Sequence, residues 1–323
     1  MNFIKRQIVK SGVAFVVMLN LLFILPRLVP GSAANVLAAG YGGAPQAVVA
    51  SITARLGLGQ PMYVQYIDYL KGIFTNWPPY FGVSYAYYPY TVTALIASRF
   101  PFTITLIATS FILANLLSLG LGAIGALRRG SKFEFASVYS SLIFWATPPF
   151  WLGLLLIWIF GVDLHLLPLF GTQSFNAGTG ASYLASLGLH LVLPIVTMTA
   201  ATFGFLFLVL RGATQQVLES DYVIAATARG LRGRVVAIGY IIRNSMLPLV
   251  SLLGYSLSFM FSIAIFVEFV FGFNGIGDLV VDGIINRDYP ILEGSMFYIT
   301  LTIIVLSLLA DLALLKLDPT LKR

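Results

Sequence analysis

The sequence predicts an all-α membrane protein with six membrane-spanning helices. Hydrophobic residues make up 59% of the 323 positions and charged residues only 10%, whereas about one quarter of the residues of a soluble domain are charged. Long apolar runs recur along the chain, and each can cross a hydrocarbon core of roughly 30 Å at about 1.5 Å per residue. Backbone groups in lipid must be paired within a helix or a closed barrel, and these runs are too long for barrel strands, so helices are predicted.

The first apolar run lies within residues 1–29 and follows the basic residues Lys5, Arg6 and Lys10. Such a segment fits either a secretory signal or a first spanning helix, and we interpret it as the first span. Five more apolar runs follow, at about 101–127, 135–162, 184–210, 246–270 and 291–316. Together they give the six predicted spans.

The third run contains Pro148 and Pro149, followed by Trp151. Proline has no backbone N–H to donate, so two consecutive prolines predict a kink or an unwound turn inside this span. Irregular backbone at membrane depth is tolerated where it lines a cavity or is buried in protein. Pro148, Pro149 and Trp151 are therefore candidates for the lining of a pathway, with simple packing geometry as the alternative.

The placement of basic residues predicts the orientation in the membrane. Fourteen of the 19 Lys and Arg residues lie on one side of the predicted spans and five on the other. Because cytoplasmic loops carry the excess of Lys and Arg, both termini and the loop 211–245 are predicted to be cytoplasmic, with 30–100, 163–183 and 271–290 outside. The net charge of +7 comes from basic residues beside apolar runs, where they meet anionic membrane lipid, so no nucleic-acid partner is expected.

The predicted outer region 30–100 is the longest connection, and one part of it is rich in aromatic residues. These residues are Phe74, Trp77, Tyr80, Phe81, Tyr85, Tyr87, Tyr88 and Tyr90. Amphipathic rings settle at the headgroup level of a membrane, which predicts an interfacial belt. The alternative is a surface that contacts substrate or a partner that delivers it.

Acidic residues near the predicted outer boundary have two interpretations. Glu268 lies 21 residues beyond Leu247, or roughly 32 Å along a helix, which places it at the outer edge of the hydrocarbon. It is either an interfacial structural acid or part of an external gate at the mouth of a pathway. Asp278 and Asp282 are one helical turn apart, and with Asp288 they are expected to form a solvated face.

The chain lacks the residues of common catalytic sites. It contains no Gly-x-x-x-x-Gly-Lys-Ser/Thr run, so it has no phosphate-binding P-loop and is not expected to hydrolyse ATP alone. It has no cysteine, and His165 and His190 are too scattered for paired metal ligands. We expect neither an enzyme nor a metal site.

The polar and basic segment 221–248 lies between two long apolar runs. One face of a short helix here carries an aromatic residue, two small residues and a cation at helical spacing. These residues are Tyr222, Ala225, Ala226 and Arg229. Gly230 predicts the end of the helix, and Leu231 follows in the turn. A helix–turn–helix with small residues on one face is suited to docking in the groove of a partner.

This segment resembles the cytoplasmic coupling loop, or EAA loop, of ABC-importer permeases. The motif residues are Ala225, Ala226, Gly230, Leu247 and Pro248. The long interval 230–248 and the run 221–223 resemble the dipeptide and oligopeptide branch in particular. Ile224 stands where many importers have the glutamate of the motif, so an ionic contact of that glutamate is not expected here. Shorter matches follow in order along nearly the whole chain, at 28–31, 150–153, 190–194, 267–277, 287–290 and 318–319.

The resemblance implies a permease subunit of an ATP-driven importer, with 1–323 as a single transmembrane domain. A second homologous permease would complete the pathway, two cytoplasmic ATPase subunits would bind ATP and Mg, and an extracytoplasmic binding protein would dock outside. The chain itself is expected to bind no cofactor. The expected ATPase-coupling residues are Tyr222, Ala225, Ala226, Arg229, Gly230 and Leu231.

By resemblance, the expected substrate is a short peptide. An oligosaccharide stays the alternative, because the tyrosine and tryptophan rings at 77–90 also suit stacking on sugar faces. An ion-coupled carrier or channel is the rival class. It predicts intramembrane charge pairs or inverted repeats, and the sequence indicates neither.

Overall fold

A computed structural model describes residues 3–29, 50–51, 53–54, 57, 59–174 and 177–317. The described chain consists of helices joined by turns, which confirms the predicted all-α class. In chain order the helices are α1 (Phe3–Leu28), α2 (Met62–Thr75), α3 (Val92–Leu127), α4 (Lys132–Ala146), α5 (Pro149–Leu156), α6 (Ala181–Leu218), α7 (Asp221–Ala228), α8 (Gly233–Val235), α9 (Arg243–Ser251), α10 (Leu253–Val270), α11 (Ile276–Ile285) and α12 (Tyr289–Leu317). Two π-helical segments, π1 (Ile157–Asp163) and π2 (Val236–Ile242), continue α5 and join α8 to α9. The motif at 318–319 and the positions 30–49 of the predicted outer region lie outside the described residues.

Five helices within the described residues are long and apolar enough to cross a membrane. Their spans are Lys5–Leu28, Val92–Leu127, Ala181–Leu218, Leu253–Val270 and Tyr289–Leu315. The pair Lys132–Ala146 and Pro149–Asp163 passes the same test but is bent by 106° at its break. Counting this pair as one span gives six, as predicted. The break at 147–148 also confirms the kink predicted at the two prolines.

Two helices extend well beyond the apolar runs of the sequence. α3 has 36 residues and α6 has 38. At about 1.5 Å per residue they reach roughly 54 and 57 Å, against a hydrocarbon core of roughly 30 Å. α3 therefore begins at Val92 rather than near 101, with Pro101 inside it. α6 continues to Leu218, past the predicted end near 210, and leads directly toward α7.

Contacts within the chain divide it into two units, and each is described by itself. The first comprises Met1–Lys5, Ile104–Phe273 and Ile303–Arg323. α6 is the centre of this unit and packs against α4, α5, α9 and α10. Glycines allow the close approaches: a Cβ on Gly204 would collide with the Ser141 carbonyl of α4, and one on Gly122 would lie 3.2 Å from Leu210.

The second unit comprises Arg6–Thr103 and Asn274–Thr302. Its interior is aromatic, with the Phe81 ring centroid 5.2 Å from that of Phe297 and with Tyr85 buried as well. The rings that stay exposed are Phe74, Trp77, Tyr80, Tyr88 and Tyr90. The predicted belt is therefore wrong for Phe81 and Tyr85, because both rings pack inside the protein. The single permease domain predicted over 1–323, with its outer region 30–100 and its loop 211–245, stays a prediction.

Candidate functional site

The helix predicted in the polar segment is present as α7. It ends at Ala228 with Arg229 as its C-cap, and Gly230 follows with φ +75°, a left-handed conformation that favours glycine. The Gly230 N–H donates to the Thr227 carbonyl at 3.0 Å, and the Leu231 N–H donates to the Ala226 carbonyl at 3.4 Å. This pair of hydrogen bonds is a Schellman motif, which satisfies the last carbonyls of the helix. The predicted helix end at Gly230 is confirmed.

α7 packs against π2 and forms a small core with it. Val223 and Ala226 of α7 are buried together with Val236 and Ile241 of π2, and we call these four residues the α7–π2 core. Val217, Leu218 and Tyr240 pack around them. Because buried side chains interlock at high density, the segment 221–242 is a packed unit rather than a loose loop.

The other side of α7 is exposed. Tyr222 is 45% exposed, Ile224 is 57% exposed and Leu231 is 39% exposed. Ala225 and Arg229 are exposed beside them. Large apolar side chains are thus accessible on a segment that is not itself a membrane span.

Ala226 corrects one part of the predicted coupling face. Its side chain is only 5% exposed, because π2 folds back over it. The helical spacing that placed Ala226 beside Tyr222 is right, but the covering element comes from farther along the chain. Ala226 therefore supports the exposed face from inside instead of belonging to it.

The bend between α4 and α5 opens a shallow cavity of about 490 Å³. Its lining residues are Ile143, Ala146, Thr147, Pro148, Phe150 and Trp151. Pro148 is exposed, Pro149 is half-buried and Trp151 is 49% exposed. The three pathway candidates of this region thus lie close together at one bend. Their role in lining a pathway stays a prediction.

Glu268 lies in α10 with its side chain fully buried, at 0% exposure. The prediction of an interfacial acid that reaches lipid headgroups is therefore wrong. Just beyond the end of α10, the Gly171 N–H donates to the Phe271 carbonyl at 2.8 Å. The Phe273 N–H donates to the Glu268 carbonyl at 2.8 Å and closes the helix. A gating role for Glu268 stays a prediction.

Comparison with known proteins identifies the family. Residues 118–323 match the family described as binding-protein-dependent transport system inner membrane component. The chain belongs to this family. Residues 1–107 of this permease match the family described as the N-terminal part of a binding-protein-dependent transport system membrane component.

Three curated relatives cover nearly the whole permease. The probable peptide ABC transporter permease protein y4tP of Sinorhizobium fredii is 32% identical over 99% of both chains. The oligopeptide transport system permease protein OppB of Escherichia coli is 30% identical over 94% of this chain and 92% of its own. The glutathione transport system permease protein GsiC of Salmonella typhimurium is 29% identical over 100% of this chain and 99% of its own. The resemblance to ABC-importer permeases is confirmed, and the chain is a multi-span permease component of the inner membrane.

In the second unit of the permease, Asp288 makes contacts that were not expected from the sequence. Its side chain is 0% exposed, and its Oδ2 accepts from the Ser84 hydroxyl at 2.7 Å and from the Tyr85 and Ala86 N–H groups at 2.6 and 2.9 Å. Its Oδ1 accepts from the Ile291 N–H at 3.1 Å in the first turn of α12. The predicted solvated face is wrong at Asp288, because this carboxylate fastens a loop to a helix start.

Asp278 and Asp282 of α11 also have protein partners. Arg99 Nη1 lies 2.9 Å from Asp278 Oδ2, and the Tyr87 hydroxyl donates to Asp282. Burial and, to a smaller extent, the hydrogen bond to Asp282 raise the pKa of Tyr87. This hydroxyl therefore stays protonated and is the donor. Burial and, to a smaller extent, the nearby Asp282 carboxylate raise the pKa of Asp278. Arg99 has the opposite effect but does not outweigh them. These carboxylates fasten Arg99 and Tyr87 to α11.

Arg27 and Glu293 form a further ion pair that sequence reasoning missed. Their Nη1 and Oε1 atoms are 2.5 Å apart, and the side chains are 12% and 6% exposed. Both residues belong to candidate spans, α1 and α12, so the expectation that the spans hold no charge pair is wrong. Arg27 lies in the last turn of α1 and Glu293 near the start of α12, which explains how the charges are tolerated. The family assignment, not the absence of charge pairs, decides against the carrier class.

Proposed function

We propose that this permease and a second homologous permease together form the pathway of an ABC importer for short peptides. The observation that carries the proposal is the packed coupling segment 221–242 in a chain related over nearly its full length to peptide, oligopeptide and glutathione permeases. ATP and Mg bind to two separate ATPase subunits, and the chain supplies the transmembrane part.

The exposed side of α7 is the docking surface for an ATPase subunit. Tyr222, Ile224 and Leu231 offer an apolar centre, and Arg229 lies at its edge. An apolar centre with a charged rim is typical of protein interfaces. Ile224 replaces the glutamate of many importers, so this docking surface depends on apolar contact more than on an ion pair.

The charge asymmetry supports a cytoplasmic position for both termini and for α7. Fourteen of 19 basic residues lie on that side in the predicted topology, in accordance with the excess of Lys and Arg in cytoplasmic loops. An extracytoplasmic binding protein then docks on the opposite side, where the exposed rings of Trp77, Tyr88 and Tyr90 are available.

Reconstitution tests the transport function. The permease is purified from its native membrane with the chains that stay attached, placed in proteoliposomes and supplied with its binding protein. A labelled tripeptide should accumulate with ATP and Mg and should not accumulate with a non-hydrolysable ATP analogue. Equal accumulation under both conditions would contradict an ATP-driven importer.

Calorimetric titration of the binding protein separates peptide from oligosaccharide. A pathway must release what it carries, so specificity is expected in the binding protein rather than in this chain. Peptide mixtures should give a binding signal that oligosaccharide mixtures lack. Micromolar or tighter sugar binding with no peptide response would overturn the peptide assignment and leave the family assignment intact.

A further inference from the structure

A buried carboxylate joins the start of α4 to the end of α6 in the first unit. Glu134 is 5% exposed, and its Oε1 accepts from Arg211 Nε at 2.9 Å, from Arg211 Nη2 and from Gln215 Nε2 at 3.3 Å. Its Oε2 accepts from the Gly130 N–H at 2.6 Å. Every one of these partners is a donor, so the site is built for an ionised carboxylate.

The Glu134 carboxylate occupies a fixed place on α4. Glu134 is in the first turn of the helix, and its N–H donates to the Ser131 hydroxyl oxygen at 3.1 Å. A carboxylate at a helix N-terminus is favoured by the helix dipole. The Ser131 hydroxyl caps the helix, and the Glu134 carboxylate accepts from the Gly130 N–H just before the cap. α4 then runs without interruption from Lys132 to Ala146, directly into the bend at Pro148.

On the other side, the partners of Glu134 lie at the base of the coupling segment. Arg211 and Gln215 are one helical turn apart in α6, which ends at Leu218. Only Glu219 and Ser220 separate that end from α7. Two attachment points on one helix face fix both its height and its rotation relative to α4. A displacement of α7 therefore reaches Arg211 and Gln215 through a short path.

A second ion pair at the same junction offers a comparison. Arg129 Nη1 and Glu219 Oε1 are 2.8 Å apart, but their side chains are 70% and 69% exposed. An exposed pair is screened by water and salt and contributes little. Loss of one partner from a buried pair leaves an uncompensated charge, which the structure must accommodate. The buried contact of Glu134 is thus the one that can hold two helices together under load.

We propose that the Glu134–Arg211 contact passes movement of the coupling segment to α4 and so to the bend at Pro148. Glu134 and Arg211 are positioning residues and touch neither substrate nor ATP. The inference rests on the proposed function, because an ATPase subunit is what displaces α7. The bend then opens or closes in step with the ATPase rather than independently of it.

The test measures uptake and ATP hydrolysis in the same proteoliposomes, for the whole importer. Glu134→Gln should keep its ATPase subunits and its hydrolysis rate but lose about tenfold in peptide uptake per ATP, within the usual range of coupling energies. Glu219→Gln removes the exposed pair at the same junction and should behave as wild type. Arg211→Lys keeps the charge but loses the two-point geometry of the guanidinium, so an intermediate ratio is expected.

A distance measurement distinguishes a coupling role of Glu134 from a merely structural one. The chain has no native cysteine, so Tyr139→Cys and Phe150→Cys, both at exposed positions, can carry spin labels on the two sides of the bend. The distance between the labels should change between ATP-free and ATP-bound importer in the wild-type background. The change should vanish with Glu134→Gln and persist with Glu219→Gln.

The outcomes separate this inference from the function on which it rests. If the wild-type importer shows no ATP-driven uptake, the proposed function fails. If the wild type transports and Glu134→Gln keeps both the uptake ratio and the distance change, only the inference is overturned. Loss of the ATPase subunits from Glu134→Gln would also overturn it, because Glu134 would then serve assembly alone. Should Glu134→Gln fail to fold, Arg211→Gln removes the same contact, and a folded Arg211→Gln variant that keeps the uptake ratio and the distance change would overturn it as well.

Discussion

Ala225 and Ala226 are adjacent in α7, yet Ala225 is exposed and Ala226 is 5% exposed inside the α7–π2 core. One side of the helix is therefore available to a partner, and the other is held by its own chain. The sequence assigns both alanines to one face of the helix, but in the structure Ala225 is available for contact with a partner and Ala226 packs inside the segment.

Tryptophan at these two positions should give different defects. Ala226→Trp overfills the α7–π2 core and should destabilise the segment by about 1–3 kcal/mol. Ala225→Trp should leave the segment folded but lower retention of the ATPase subunits. The reason is that the large ring projects from the docking surface and keeps the partner from approaching closely. Limited proteolysis within 221–242 and co-purification measure the two effects. Wild-type protease resistance of Ala226→Trp would show that the core is not closed as described.

Gly230 should not tolerate a side chain, although space is available for one. A Cβ at Gly230 would meet no atom within 4 Å, so the obstacle is its φ of +75°. A left-handed backbone costs a non-glycine residue roughly 1–2 kcal/mol. Gly230→Ala should therefore weaken ATPase retention several-fold. Gly233→Ala is the matched control, since Gly233 is equally open and its φ is not positive; an equal loss in both variants would contradict the prediction.

The predicted topology can be tested with two exposed threonines. Thr75 and Thr227 each donate a hydroxyl hydrogen bond to the carbonyl four residues earlier, at 2.6 and 2.9 Å, and cysteine can replace either without disturbing the core. Thr75→Cys should react with an impermeant thiol reagent added outside intact cells, and Thr227→Cys should react only after lysis. The reverse pattern would invert the orientation. Ser84 and Ser245 are unsuitable, because they are 0% and 1% exposed.

Asp288 should be among the most sensitive acidic residues of the second unit. Asp288→Asn keeps only one acceptor oxygen, and its NH2 group would face either the Ile291 N–H or the donors at Oδ2. At least one buried donor therefore loses its acceptor, at a cost of about 1–3 kcal/mol. Thermal unfolding of the purified permease should shift down for this variant. Asp68→Asn, at an exposed position, is the control. A smaller effect at Asp288 than at Asp68 would argue against the loop fastening.

Asp278 should make the stability of the permease depend on pH. Burial and Asp282 raise its pKa in the folded chain above the ordinary value of 3.8, so the folded state binds its proton more readily than the unfolded state. The stability from this group is full below the ordinary pKa and is lost as pH rises through the raised pKa. Asp278→Asn should therefore flatten the dependence of the melting temperature on pH above about pH 4. An unchanged slope would show that Arg99 cancels the effect of burial on the pKa of Asp278.

Local signals in the sequence were sufficient for the helices and for the ends of α7. Apolar runs gave the spans, Pro148 and Pro149 gave the bend, and Gly230 gave the turn, because each effect acts within a few residues. The helix lengths were underestimated, since a helix that leaves the hydrocarbon no longer needs apolar residues on all sides. The end of an apolar run therefore indicates where the helix leaves the hydrocarbon core, not where the helix itself ends.

Burial of polar residues could not be predicted in the same way. Glu268, Asp288 and Ala226 are each covered by segments that lie elsewhere in the chain. The residues next to them in sequence therefore do not indicate that they are buried. Arg99 was the best available signal for the burial of these carboxylates. It lies on the same predicted outer side as the two carboxylates of α11, so an ion pair with one of them could have been expected. Which carboxylate it would choose depended on packing.

The bend at Pro148 and Pro149 has a consequence for what can surround it. Neither ring carries an N–H, so the carbonyl oxygens of Phe144 and Trp145, four residues earlier, cannot receive their helical hydrogen bonds. In hydrocarbon each oxygen left without a donor would cost several kcal/mol. The surroundings of these two oxygens must therefore supply a hydrogen-bond donor from water or from protein, which acyl chains cannot do.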